Sequence, residues 1–204
     1  MGKIIKVDFP QKNKKTKKTL PDVYQLKIVL LGTDPVVWRR VQVPGSFSLA
    51  KFHEVIQLAM GWTNSHLHQF IIDKELYGQP SEDDDWAGAK VFDERKIKLG
   101  DLKARIRKKF IYEYDFGDSW QHEIKVEKVI AAKETILKHP ILLAGERACP
   151  PEDVGGIPGY EEFLAALKNP DDEGNAEIIE WYGEEYDPDH VGLEEINKLL
   201  KKLR

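Results

Sequence analysis

The run Tyr112-Glu113-Tyr114-Asp115-Phe116-Gly117-Asp118-Ser119-Trp120-Gln121-His122 sets carboxylates and an imidazole among aromatic rings around one glycine turn. Polar groups in such company cost free energy when buried, unless they are paired or liganded. Residues two apart on a strand share a face, so His66 and His68 project together, as do Trp120 and His122. Two imidazoles at that spacing can chelate one divalent metal, and His122 with Asp118 or Asp115 completes a His/carboxylate ligand set. Glu152 and Asp153 can add oxygen ligands, or one of them can serve as the general base toward a metal-bound water. That chemistry is metal-dependent hydrolysis, of a phosphoester for example. The alternative needs no ligand. An aspartate beside glycine accepts backbone hydrogen bonds in a turn, and a histidine on an apolar face is commonly a bonded core residue.

Two other segments carry chemistry-bearing side chains. Cys149-Pro150-Pro151-Glu152-Asp153-Val154-Gly155-Gly156-Ile157-Pro158-Gly159-Tyr160 is stiffened by prolines and loosened by glycines. It either presents Glu152 and Asp153 to a ligand or clamps the following helices onto the sheet. Trp38, Arg39 and Arg40 offer an aromatic ring and two cations for stacking and phosphate contact with nucleic acid. On one short strand the two arginines otherwise point to opposite faces and pair with acids. Asp115-Phe116-Gly117 matches a kinase tripeptide, but no glycine-rich loop or catalytic-loop signature accompanies it. No Walker loop, dinucleotide fingerprint or nucleophile elbow occurs. Cys149 has only Arg147 as a nearby cation, weak support for a reactive thiolate.

The elements that must position these groups follow from periodicity. Val23–Leu30 and 36–43 alternate as strands. Ser48 caps a helix whose apolar positions are Leu49, Phe52, Val55, Ile56, Ala59 and Met60, and Gly61 closes it. A third strand runs 66–73, an exposed loop with the acidic run Glu82–Asp85 spans 75–88, and a short strand lies within 91–99. Residues 110–116 and Trp120–Ile130 form a β-hairpin turning at Gly117-Asp118. Helices follow over 160–167, 176–182 and 193–203. Strands first and helices later predict a single α+β domain: an antiparallel sheet of about five strands, one inserted helix and a helical C-terminal third.

With 41% hydrophobic residues the chain is an ordinary globular one, and 204 residues suit one sizeable domain. The domain is expected over residues 21–204, behind a flexible lysine-rich arm at 1–20. Charge is uneven: seven lysines against Asp8 before Leu20, then fifteen acids against Lys168 from Glu152 to Glu195. The basic arm can contact nucleic acid by counterion release, whereas the acidic third repels phosphate unless a metal intervenes. A single cysteine, no apolar run near the roughly 18 residues that span a bilayer, and no apolar stretch at the N-terminus predict a soluble cytoplasmic protein without membrane contact.

Four motifs occur in order: Trp38-Arg39-Arg40-Val41; Gly61-Trp62 with His66-Leu67-His68-Gln69-Phe70; Tyr114 to His122; and Cys149 to Tyr160. Together, over roughly 23–200, they resemble the Ri-plasmid ORF-3-like family, whose members also travel as passengers of transposable elements under the label TnpR. The resemblance implies little chemistry. The recombinase sense of that label finds no support, because Ser46 and Ser48 sit at a helix start and Tyr182 and Tyr186 in the acidic third. The expectation is a non-catalytic binding or accessory protein of a mobile-element-associated family, with protein or nucleic acid as partner and no cofactor. The alternative is the metal-dependent hydrolase or phosphoesterase built on the His/Asp cluster.

Overall fold

The computed structural model describes residues 20–80, 90–103, 105–106, 109–182 and 186–203. The lysine-rich arm and the acidic run Glu82–Asp85 lie outside the described residues. Eight strands form one sheet in the order β5-β4-β3-β6-β7-β1-β2-β8. They are β1 (Val23–Leu30), β2 (Trp38–Pro44), β3 (His68–Ile72), β4 (Glu75–Gly78), β5 (Val91–Asp93), β6 (Lys109–Tyr114), β7 (Trp120–Ile130) and β8 (Ile141–Glu146). Helices α1 (Leu49–Met60), α2 (Gly156–Lys168), α3 (Glu173–Tyr182) and α4 (Leu193–Leu200) complete an α+β domain. No described helix is long and apolar enough to cross a membrane.

Eight strands replace the expected five or so, and the sheet is mixed, since β5 runs parallel to β4. The span 75–88, read as loop, opens with β4. Four residues are too few for an alternating pattern to stand out; pairing with β3 holds them. The Pro/Gly-rich span before α2 hides β8, so the C-terminal third is not wholly helical. This edge strand pairs with β2 on one side. On the other, the Asn197 side-chain amide of α4 accepts from Leu142 N–H and donates to its C=O, both at 2.9 Å. The edge strand thereby has the open backbone groups of Leu142 occupied.

Alternation divides the sheet into two faces. Leu26, Ile28, Val41, Ile124, Phe110 and Phe70 are buried on the inner one, where Phe52 of α1 packs against Phe70 and Phe110. The outer face is polar, and Arg40, Lys27, Lys125 and Lys109 stand in one register row across β2, β1, β7 and β6. Helix α1 forms as its caps predict: Ser48 accepts from Lys51 N–H, and Gly61 adopts a left-handed φ of 103°. The β6–β7 loop holds Asp115 and Ser119, both at φ 54°. Asp115 Oδ1 accepts from Gly117 N–H at 2.9 Å, closing the turn as an Asx residue does.

Candidate functional site

One end of the inner face gathers most of the polar side chains the sequence singles out, and it sorts them into three environments.

The first is closed. His53, on the core-facing stripe of α1, is buried. Its Nε2 lies 2.7 Å from Asn64 Oδ1, which accepts, so Nε2 carries the proton and Nδ1 receives the Tyr112 hydroxyl at 2.8 Å. Gln57 Nε2 donates to the same hydroxyl at 3.0 Å, and Asn64 N–H returns to Gln57 Oε1 at 2.9 Å. The cycle is complete and holds a neutral imidazole. Burial above all, and then the neighbouring His68, push the His53 pKa down to about 3. His68 stacks on His53 with centroids 3.4 Å apart and planes within 3°, and its Nε2 meets Glu94 Oε2 at 2.8 Å. Glu94, on the turn after β5, is itself buried.

The second is buried against Trp62. His122 is fully buried on β7, edge-on to the Trp62 ring, with Nδ1 3.3 Å from Tyr112 O. Burial lowers its pKa to about 4, against backbone hydrogen bonds that raise it. Among the described residues, His122 Nε2 and Trp120 Nε1 have no hydrogen-bond partner.

The third is an open corner. His66 lies in the approach to β3 rather than in the strand. Its backbone N–H and that of Ser65 donate to the Tyr114 hydroxyl, which donates to Glu152 Oε1 at 3.0 Å. Glu152 Oε1 also accepts from Thr63 N–H and its hydroxyl. His66 Nε2 then faces Asp153 Oδ1 at 2.9 Å, Asp115 Oδ2 at 3.6 Å and Glu152 Oε2 at 3.9 Å. Among the described residues it forms no hydrogen bond although the atom is buried, so the approach to Asp153 is close but wrongly directed. Among the described residues, His66, Asp115 and Asp153 are the one group of three whose ligand atoms all lie within 4.8 Å of one another.

The structure therefore does not bring His68, His122 and Asp118 to one ion position with His66. The two-residue alternation fails because His66 precedes the strand, while His68 turns onto His53. The Tyr112 ring packs against both His68 and His122 from the intervening strand β6. Asp118 instead accepts from Gly155 N–H at 3.1 Å. A Cβ at Gly156 would lie 2.9 Å from Asp118 O, so the glycine pair lets α2 dock closely on the hairpin. Trp38 and the two arginines do not form a phosphate patch. Arg39 is buried, donating to Ala59 O, Trp38 O and Glu146 O, and Arg40 makes two bonds to Glu127. Burial pushes the Cys149 thiol far up. His53, Gln57, Asn64 and Glu94 escaped the sequence reading. His53 had a signal: it lies four residues after Leu49, on the helix's apolar stripe.

A cleft of about 610 Å³ opens beside these groups, with His53, His66, His68 and Glu94 among its lining. Leu67 and Phe116 stand at its wall and remain 68% and 50% exposed.

Comparison with known proteins places this arrangement. Residues 22–195 match the family described as plasmid pRiA4b ORF-3-like protein. The uncharacterized protein y4hQ of Sinorhizobium fredii is 42% identical over 182 residues, 89% of this chain and 92% of that one. The crystal structure of a protein of unknown function, MM3350 from Methanosarcina mazei Go1, superposes with a TM-score of 0.73 at 38% identity, covering 85% of this chain and 96% of that one.

Proposed function

This chain belongs to the plasmid pRiA4b ORF-3-like family, and from that premise we propose a non-catalytic binding or accessory protein, mobile-element-associated and cytoplasmic, over a domain of residues 21–204. Its recognition site is the cleft, and its rim holds a divalent cation on His66, Asp115 and Asp153, with Glu152 behind them. The observation that carries this reading is His66 Nε2, a buried nitrogen that among the described residues has no hydrogen bond and faces three carboxylates. Ligand atoms around an ion at about 2.1 Å stand roughly 3.0–3.4 Å apart. The His66 contacts of 2.9–3.9 Å bracket that range, and side-chain rotation must draw in the rest of a set whose ligand atoms lie within 4.8 Å of one another. One imidazole and carboxylate oxygens suit zinc or manganese.

Binding fits better than catalysis because the reactive groups nearby are already committed. His53 is locked neutral in its cycle, the Ser119 hydroxyl donates to Glu113, and the Cys149 thiol is held protonated by burial. Between the two partner classes, protein fits better than nucleic acid. The corner is acidic, and Arg39 and Arg40 are occupied. Calorimetric titration of metal-free protein with manganese or zinc chloride tests the cation. One equivalent should bind, and Asp115→Asn, which preserves the turn bond to Gly117, should weaken it at least tenfold. Absence of saturable binding at millimolar metal sinks the cation. Turnover of a phosphoester by the metal-loaded protein would replace binding with the hydrolase reading.

A further inference from the structure

We propose that the cation is a clasp: binding it fastens the segment 150–155 onto the β6–β7 hairpin, and lifting that segment releases it. The inference rests on the cation reading above and adds a regulation to it, a coupling between occupancy of the corner and the docking of the chain that leads into α2. Asp118 is the positioning residue of this coupling.

The three ligands come from three places in the chain. His66 precedes β3, Asp115 opens the turn after β6, and Asp153 lies in the run before α2. A tie between segments so far apart in sequence closes long loops, where a metal clip has most to stabilise. Hydrogen bonds already cross the contact. Trp62 Nε1 donates to Pro150 O at 3.0 Å, Thr63 N–H to Glu152 Oε1 at 2.8 Å, and Gly155 N–H to Asp118 Oδ2 at 3.1 Å. Val154 between them is buried.

Charge works against this docking. The hairpin brings Asp115 and Asp118 to the contact, and the segment brings Glu152 and Asp153. Carboxylates gathered in this way disfavour one another's charge. A divalent cation reverses the sign, because the same oxygens are then drawn to one centre. Backbone conformation adds to the balance. Asp115 at φ 54° and Asp153 at φ 57° hold left-handed conformations, which in residues other than glycine persist only while surrounding contacts enforce them. The segment thus has a docked and a lifted arrangement, and the cation has its full ligand set only in the first.

Amide exchange at Thr63 and Gly155, followed by NMR on the full chain in zinc chloride and in EDTA, reports on the contact, because both N–H groups donate across it. At zinc about ten times its dissociation constant, exchange at both should slow about tenfold, since the lifted form loses the cation. Coupling is reciprocal, so loosening the segment must weaken the cation. Asp118→Ala and Asp118→Asn remove the same charge, but only asparagine keeps an oxygen for Gly155 N–H. The alanine variant should bind zinc at least threefold more weakly than the asparagine variant. Equal affinity of the two folded variants overturns the clasp. So does one equivalent of bound zinc with exchange at Thr63 and Gly155 unchanged, a result that leaves the cation standing. That measurement decides even if Asp118→Ala fails to fold. Absence of saturable zinc binding removes the cation and the clasp together.

Discussion

His53 and His66 both line the cleft, yet their surroundings obey opposite rules. Around His53 each donor meets an acceptor in a closed cycle, and the imidazole is neutral because its neighbours leave no room for a second proton. Around His66 three carboxylates crowd one imidazole nitrogen. Closed cycles spend their hydrogen-bonding capacity on the fold. Open ones retain it for something outside the chain, and they keep acidic oxygens close together at a cost. The two regions share a frame, because Tyr112 and Tyr114 of β6 serve one each. The fold thus holds the open site with the closed one.

Acid should separate the two regions most. His53 titrates near 3 and His122 near 4 in the folded chain, against 6.5 for a free imidazole. A base with a depressed folded pKa binds its proton first in the unfolded chain. Stability is therefore full above about 6.5 and falls as pH drops toward the folded values, by up to about 3–5 kcal/mol per group. Groups facing His53 are His68, the Asn64 amide and the Tyr112 hydroxyl, and none is an anion that could hold a proton there. Urea unfolding at pH 7 and at pH 4.5 should differ by several kcal/mol. Equal values would show the closed cycle to be open to protons.

Breaking the cycle without acid comes next. Tyr112→Phe removes the hydroxyl that donates to His53 and accepts from Gln57. Two buried groups lose partners, and at about 1–3 kcal/mol each the loss should be near 3 kcal/mol. Manganese affinity should stay within twofold of the parent, because the corner hangs on Tyr114. A large loss of affinity in this variant would mean the two regions are one unit.

The cation should then stabilise the open region alone. At a hundred times its dissociation constant, ligand adds about 2.7 kcal/mol. A rise in Tm with manganese chloride that vanishes in Asp115→Asn is expected. Without metal that variant should melt at or slightly above the parent temperature, since one crowded charge is gone.

Much of this fold was legible in the chain, and the illegible parts share a cause. Ser48 and Gly61 mark α1 because caps are local chemistry, and the β6–β7 hairpin shows its turn. Asp115, Glu152, Asp153 and His66 were named as candidates and stand together. Their partition from His68, His122 and Asp118 was not readable, because it depends on where β3 begins and on which neighbours Tyr112 separates. Strand β8 is stabilised by β2 and by Asn197, far away in sequence. Glu94 follows a three-residue strand and gave no local sign of burial.

Arg39 and Arg40 repeat the contrast across the sheet, Arg39 buried on the inner face and Arg40 on the outer one, where the smallest effect is expected. Arg40 reaches Glu127 with two bonds of 2.7 and 2.9 Å, and its guanidinium lies 5.2 Å from the Trp38 ring. Lys109 pairs with Glu123 at 2.5 Å in the same register row. These cations look like a phosphate-binding stripe in sequence, but cross-strand carboxylates occupy them. Exposed pairs of this kind contribute about 0.2–1 kcal/mol, so Arg40→Ala should shift the urea unfolding free energy by no more than that. Binding of single-stranded oligonucleotide near 50 mM salt, where phosphate contacts are strongest, should be negligible in both proteins. Strong binding that Arg40→Ala abolishes would mean the pairs open readily. The outer face, not the corner, would then be the surface that meets a partner.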